Sequence, residues 1–301
     1  MESFESKSTG IEQPQESRSR RSALLFGGAA LAGLAMGSRA FAQSSAPTDA
    51  DILNFALNLE FLEAQFYTLA TTGMTLDQAG MSTKSGSGTA GGMVTVKANP
   101  KVAFTTPSLQ QFASEVALDE QNHVKFLQTA LGASAVGMPD IDLMNSFNAL
   151  ASAAGLGATF DPFANETNFL LGAFIFEDVG VTAYQGAAGL ISSKTYLDKA
   201  VGIHNVEAYH AAGIRTRIFQ AGAMAQSASQ AIAATRAKLD GTNTDDVGVG
   251  VNGSASTIVD CDSNGMTFAR NTTQVLSVVY GGGAAGKGGA FFPSAMNGTV
   301  R

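Results

Sequence analysis

Glu120-Gln-Asn-His123 and Glu207-Ala-Tyr-His210 repeat one pattern, a glutamate three residues ahead of a histidine. Together they use two of the three histidines in the 301-residue chain. Random placement of so few glutamates and histidines predicts roughly 0.1 such pair. On a helix, side chains three residues apart share a face, so a carboxylate and an imidazole can grip the same metal ion. A repeated pair implies a two-metal site built between helices.

The elements that must carry these residues read as helices. Residues 49–71 follow Thr48 or Asp49 as cap, with apolar residues at Ile52, Leu53, Ala56, Leu57, Leu59, Leu62 and Phe66. Residues 73–106, rich in Gly, Ser and Thr, predict a long loop with a short strand at Met93–Lys97. Thr106-Pro107-Ser108 opens a second helix that ends at Gly132. Residues 133–163 read as a long connection. A third helix spans about 164–190, and a fourth, capped by Ser192 or Ser193, runs to about Ala221. A fifth covers about Met224–Leu239, and Thr273–Val279 forms a last apolar helical patch in an otherwise Gly- and Asn-rich tail.

The helices pair by internal similarity. At an offset of 117, Leu53, Ala56, Leu57, Glu60, Ala64 and Tyr67 fall on Leu170, Ala173, Phe174, Glu177, Val181 and Tyr184. At an offset of 87, Ala113, Val116, Glu120, His123 and Leu127 fall on Ala200, Ile203, Glu207, His210 and Ile214. Each set is one helix face, an apolar stripe with the polar residues at its middle. An unpaired buried carboxylate costs several kcal/mol, and four together repel or take up protons. Two divalent cations balance four carboxylates, which favours a dimetal centre over scattered core acids. Mixed carboxylate and imidazole ligation suits iron or manganese.

On Glu60, Glu120, His123, Glu177, Glu207 and His210, and on their order along the chain, the sequence resembles the ferritin-like superfamily of dimetal-carboxylate four-helix bundles. The stretch Leu53–Tyr67, the tail Gln274-Val275-Leu276…Val279-Tyr280-Gly281 and Gly289-Ala290-Phe291-Phe292-Pro293 are similar to one branch, the bacterial ferritin-like proteins related to plant desiccation-related proteins. The resemblance implies an all-α, up-down four-helix bundle over residues 43–240, a long crossover between helices two and three, and a loop-rich extension at 241–301 packed on the bundle. It implies that the six named residues hold two Fe or Mn ions that react with O2 or H2O2, in ferroxidase-, peroxidase- or manganese-catalase-like chemistry. The alternative is a non-catalytic stress-protective or cell-envelope protein whose dimetal site is structural.

Other residues near the stripe stay open at this level. Glu63, one turn past Glu60, is either an added ligand or an exposed acid. Tyr67 and Tyr184, the candidate catalytic residues, are redox-active groups, hydrogen-bond donors to ligating carboxylates, or core aromatics. Asp119 and Asp178 point about 100° away from their ligand neighbours, and His204 is expected not to ligate.

Composition narrows the class. Hydrophobic residues at 45% can build a core, and Lys+Arg 18 against Asp+Glu 25 gives a net charge of −7. No basic face suggests a nucleic-acid partner. Cys261 stands alone, which excludes an internal disulfide and a multi-thiolate metal site. Ser19-Arg20-Arg21-Ser22-Ala23-Leu24-Leu25, a short apolar stretch to Met36 and Ala40-Phe41-Ala42 read as a twin-arginine export signal cleaved after residue 42. That stretch is shorter than the roughly 20 residues a membrane span needs. The expected protein is therefore periplasmic or otherwise exported and free of the membrane after cleavage. The 73–106 loop and the long tail favour a monomer or small homo-oligomer over a 24-subunit cage.

Overall fold

Residues 46–242 and 246–301 are described by a computed structural model; the expected export signal, residues 1–42, lies outside the described residues. The first helix, α1 (Asp49–Thr72), starts at Thr48. The Thr48 hydroxyl accepts from the Asp51 N–H, and the Asp51 carboxylate accepts from the Thr48 N–H, which satisfies two of the end's orphan donors. The Asp49 carboxylate accepts from the Ser192 and Ser193 N–H groups, which ties the start of α1 to a distant turn.

Then follow α2 (Pro107–Leu131), α3 (Asn145–Ala153), α4 (Glu166–Ala188), α5 (Lys194–Gln220), α6 (Ala223–Asp240) and α7 (Thr272–Val279). Strands among the described residues are two-residue pairs: β1 (Val94–Thr95) lies parallel to β2 (Ile141–Asp142), and β3 (Val251–Asn252) antiparallel to β4 (Ala255–Ser256). The fold is all-α, as expected. Pro107 occupies the first turn of α2, where its missing N–H is harmless. Thr106 makes no side-chain cap there. Glu166, in the first turn of α4, instead accepts from the Thr105 and Thr106 N–H groups and from the Thr106 hydroxyl.

The long connection at 133–163 differs from the expectation in holding α3. Among its nine residues only Phe147 and Leu150 are large apolar side chains, too short a run for periodicity to stand out. Phe147 nonetheless meets Phe66 of α1, Phe176 of α4 and Phe291 of the tail, with ring centroids 6.0, 5.7 and 5.2 Å away.

Four helices form the bundle, and they are not equivalent. α1 and α4 are inner helices, buried along 18 of 24 and 16 of 23 residues, whereas α2 buries 9 of 25 and α5 buries 8 of 27. The outer faces of α1 and α4 are covered by the crossover and the tail. Asn54 bonds the Ser134 carbonyl and the Val136 N–H. Asn58 bonds both backbone groups of Asn297. Val275, Leu276, Val278, Val279, Phe291 and Phe292 of the tail join the same hydrophobic core as α1 and α4. No described helix is long and apolar enough to cross a membrane.

Arginines clamp the tail. Buried Arg215 donates to the Asp178 carboxylate and to the carbonyls of Val247, Thr257 and Ile258. Arg236 bridges Asp178 and Asp246, and Arg270 bridges Asp240 and Asp246. Asp178 thus turns away from the bundle centre into this network, which resolves the role left open by its sequence position.

Candidate metal centre

All six residues predicted as ligands lie at mid-length of the four bundle helices and point to one buried centre. Glu60, Glu120, Glu177 and Glu207 are fully buried, and His123 and His210 nearly so. Two overlapping groups form. Glu60, Glu120, His123 and Glu207 make one, and Glu120, Glu177, Glu207 and His210 the other, each with ligand atoms within 4.8 Å of one another. Glu120 and Glu207 belong to both groups, so they stand between two positions. The His123 Nδ1 is 3.2 Å from Glu60 Oε2 and 3.2 Å from Glu207 Oε1. The His210 Nδ1 is 3.0 Å from Glu120 Oε1 and 3.5 Å from Glu177 Oε2.

Helical periodicity explains the convergence. Each polar residue sits in an apolar stripe that must face the core, so packing the stripes drives the carboxylates together. Packing does not satisfy them. Glu120 Oε1, Glu177 Oε2, both Glu207 oxygens and His210 Nδ1 are buried without a hydrogen-bond partner. Each such atom costs about 1–3 kcal/mol unless something else satisfies it. Within each group the ligand atoms lie within 4.8 Å of one another, an arrangement that could hold a cation. The donor set of four carboxylates and two imidazoles is compatible with metal binding.

The electrostatics agree. Burial raises the Glu60 carboxyl to about 7 despite the opposing effect of His123. Burial and the neighbouring carboxylates raise Glu207 well above the usual range, and burial raises Glu177. Burial would lower His210, but the Glu177 charge and the contact with Glu120 push it up to about 12. Glu120 is the exception. Burial works to raise it, but its two histidine neighbours bring it down to about 2.

The tyrosines act across the bundle. Tyr67 of α1 donates to the Glu177 carboxylate of α4, and Tyr184 of α4 donates to the Glu60 carboxylate of α1. Both phenols are raised well above their usual range, first by burial and then by those carboxylates, so both stay protonated donors. α1 and α4 run antiparallel, since Phe66 and Tyr67 late in α1 meet Phe169 at the start of α4, and Ile52 early in α1 clusters with Tyr184 late in α4; the two tyrosine contacts are then related by a pseudo-twofold axis. On the outer helices, Asp119 lies 3.3 Å from the His210 Nε2, a carboxylate placed to fix the orientation of that ring.

Glu63 corrects one expectation. It is buried, 4% exposed, and is not a plain surface acid. It belongs to neither ligand group. Burial, then the charges of Glu207 and Glu120, raise its carboxyl well above the usual range. The 117-residue offset places Gly180 at the equivalent position of α4. A Cβ on Gly180 would stand 2.7 Å from Glu207 Oε2 and 3.2 Å from Glu63 Oε1, so only glycine leaves room for both carboxyls. The same offset applied to Glu63 was the signal that could have revealed this. His204 belongs to neither group.

A family model for the ferritin-like domain matches residues 48–220, the stretch that contains all six centre residues. The chain belongs to the ferritin-like family. Two relatives match this ferritin-like chain over most of its length. The desiccation-related protein PCC13-62 of Craterostigma plantagineum is 27% identical over 268 residues, 83% of each chain. The ferritin-like catalase Nec2 of Nesocodon mauritianus is 24% identical over 270 residues, 84% of each chain. No solved structure matches significantly.

Proposed function

We propose that this ferritin-like protein holds a dinuclear iron or manganese centre and consumes peroxide or reacts with O2, outside the cytoplasm and under oxidative or desiccation stress. The observation that carries this reading is the set of buried, unpartnered ligand atoms divided into two groups that share Glu120 and Glu207. Glu60 with His123 and Glu177 with His210 would each hold one ion, with Glu120 and Glu207 between them. Such a pair, when bound, would supply redox chemistry at two neighbouring positions.

The residues around the centre have their own tasks. Tyr67 and Tyr184 orient the outer carboxylates, and Asp119 orients His210. The apolar stripes exclude bulk water. Glu63 supplies a further carboxyl beside Glu207. The twin-arginine signal at residues 19–25 supports export after folding, which suits a protein loaded with metal before crossing the membrane. Similarity to a relative named a catalase favours peroxide as substrate. Similarity to a desiccation-related protein favours a stress role and keeps a structural, non-turnover centre as the second reading.

Measuring Fe and Mn per chain, then H2O2 loss and Fe(II) oxidation, separates the two. Two metals with turnover supports the first reading; two metals without turnover selects the second. A Glu120→Ala, His123→Ala double variant that still binds two metals would overturn both.

A further inference from the structure

The internal repeat that builds the centre is broken on one side, and there a cavity of about 510 Å³ opens between α2 and α5. It is lined by Asn122, His123 and Phe126 of α2, and by Asp198, Lys199, Gly202, Ile203 and Val206 of α5. The 87-residue offset gives the equivalent position of each residue on the far side of the pseudo-twofold axis. Asp119 corresponds to Val206, Glu115 to Gly202, Phe112 to Lys199, and Phe126 to Gly213.

The far side is closed. The Phe112 ring fills the space over Gly213, where an added Cβ would meet it at 2.5 Å, and Arg217 lies over the same ring at 3.9 Å. Asp119 covers the outer nitrogen of His210.

The near side lacks each of these. Val206 offers His123 no carboxylate, and the His123 Nε2 has no polar partner among the described residues, because every hydrogen bond and ion pair of that ring is made through Nδ1. Lys199 extends into solvent where Phe112 plugs the other side, with its side chain 55% exposed. Gly202 sits inside a helix, where glycine costs about 1 kcal/mol relative to alanine. Nothing lies within 4 Å of where its Cβ would be, so no packing constraint explains it.

We infer that this cavity is the entry through which a small uncharged molecule of peroxide size reaches the centre, on the His123 side only. The two metal positions are therefore inequivalent: the one held by Glu60 and His123 faces the incoming molecule, and the one held by Glu177 and His210 is shielded. The chemistry of the passage fits a neutral solute. Its one carboxylate and one ammonium, Asp198 and Lys199, lie 3.2 Å apart at the rim and offset each other. Phe126, Ile203 and Val206 supply apolar wall beside His123.

The inference rests on the dimetal reading above, and its test keeps the two apart. The full-length chain is loaded with Mn(II), its metal content is measured, and water-proton relaxation reports how freely water reaches the bound ions. Peroxide loss per bound metal is followed in parallel. In the series Gly202→Ala, Gly202→Leu, Gly202→Phe, the added side chain grows into the cavity. Metal content is expected to stay at the wild-type value while relaxation enhancement and peroxide loss fall progressively, several-fold by Leu. Lys199→Phe, which copies the plug of the closed side from a solvent-exposed position, is expected to do the same and serves if a Gly202 variant folds poorly. Full metal content with unchanged relaxation in both Gly202→Leu and Lys199→Phe would overturn the entry and leave the metal centre standing. A wild-type chain that takes up no metal would overturn the centre and the entry with it.

Discussion

At the scale of single residues, the centre depends on groups that do not themselves belong to the ligand set. Tyr67 and Tyr184 each hold a carboxylate presented by the opposite inner helix. Removing such a supporting bond lowers metal affinity about 10–100-fold. Tyr67→Phe and Tyr184→Phe are therefore expected to weaken Mn(II) binding by that factor in calorimetric titration, with the fold intact. Gly180→Ala is expected to lower affinity as well, because the new Cβ displaces the Glu207 carboxylate. Binding also depends on pH, with a definite sign. At neutral pH Glu60, at about 7, is half protonated and His210, at about 12, is protonated; a metal must displace these protons, and the raised Glu207 acts in the same direction. Affinity is thus expected to rise with pH, and proton release on loading can be read in weakly buffered solution. For the metal-free protein these groups act the other way. Their pKa values lie above the unfolded ones, so the stability they confer at low pH declines as pH climbs, for Glu60 between 4.5 and about 7. The thermal shift on adding metal should be larger at pH 8 than at pH 6; an equal shift would contradict the protonation scheme. Of this residue-level detail, the six ligands were legible because rare residue types recurred at helical spacing. The tyrosine contacts were half legible, since the seven-residue spacing from each glutamate was visible but the antiparallel pairing that makes it reciprocal was not.

At the scale of elements, the two inner helices are held by different means. α1 is held by side-chain amides, with Asn54 and Asn58 gripping the crossover and the tail. α4 is held by charge, through Asp178 and the arginines that converge on it. Removing one member of a buried ion network strands its partners, at a cost of about 3–5 kcal/mol. Arg236→Ala is expected to destabilise the protein by that amount in chemical denaturation, because it leaves Asp178 short of a partner and frees one side of Asp246. Arg236→Ala with unchanged denaturation midpoint would show the network to be dispensable. This network was invisible in sequence. Arg215, Arg236 and Arg270 lie on separate elements, and nothing in their spacing announces that they meet Asp178, Asp240 and Asp246. The small helix α3 was missed for a related reason: its place is fixed by Phe147 docking among aromatic residues from distant elements, a tertiary effect that local periodicity does not record.

At the scale of the whole molecule, the bundle is an approximate duplicate whose two halves share the residues of the centre and differ at most of the positions around it. The offsets of 117 and 87 made the shared design legible in sequence, and the same offsets mark where it fails: Glu63 against Gly180, Asp119 against Val206, Phe112 against Lys199. The failures are what make one flank of the centre open and the other shut. The tail completes the enclosure, since Asn297 bonds Asn58 across a sequence separation of 239 residues. Deleting residues 296–301 is expected to lower the melting temperature and, because Asn58 lies half a turn from Glu60, to weaken metal binding too; a truncated chain with unaltered affinity would show the tail to be mere covering. That single contact also sets a schedule. A chain emerging from the ribosome has made all six ligand residues, Glu60 through His210, before Asn297 exists, so the wall behind the first ligand is finished only after the ligands themselves are in place.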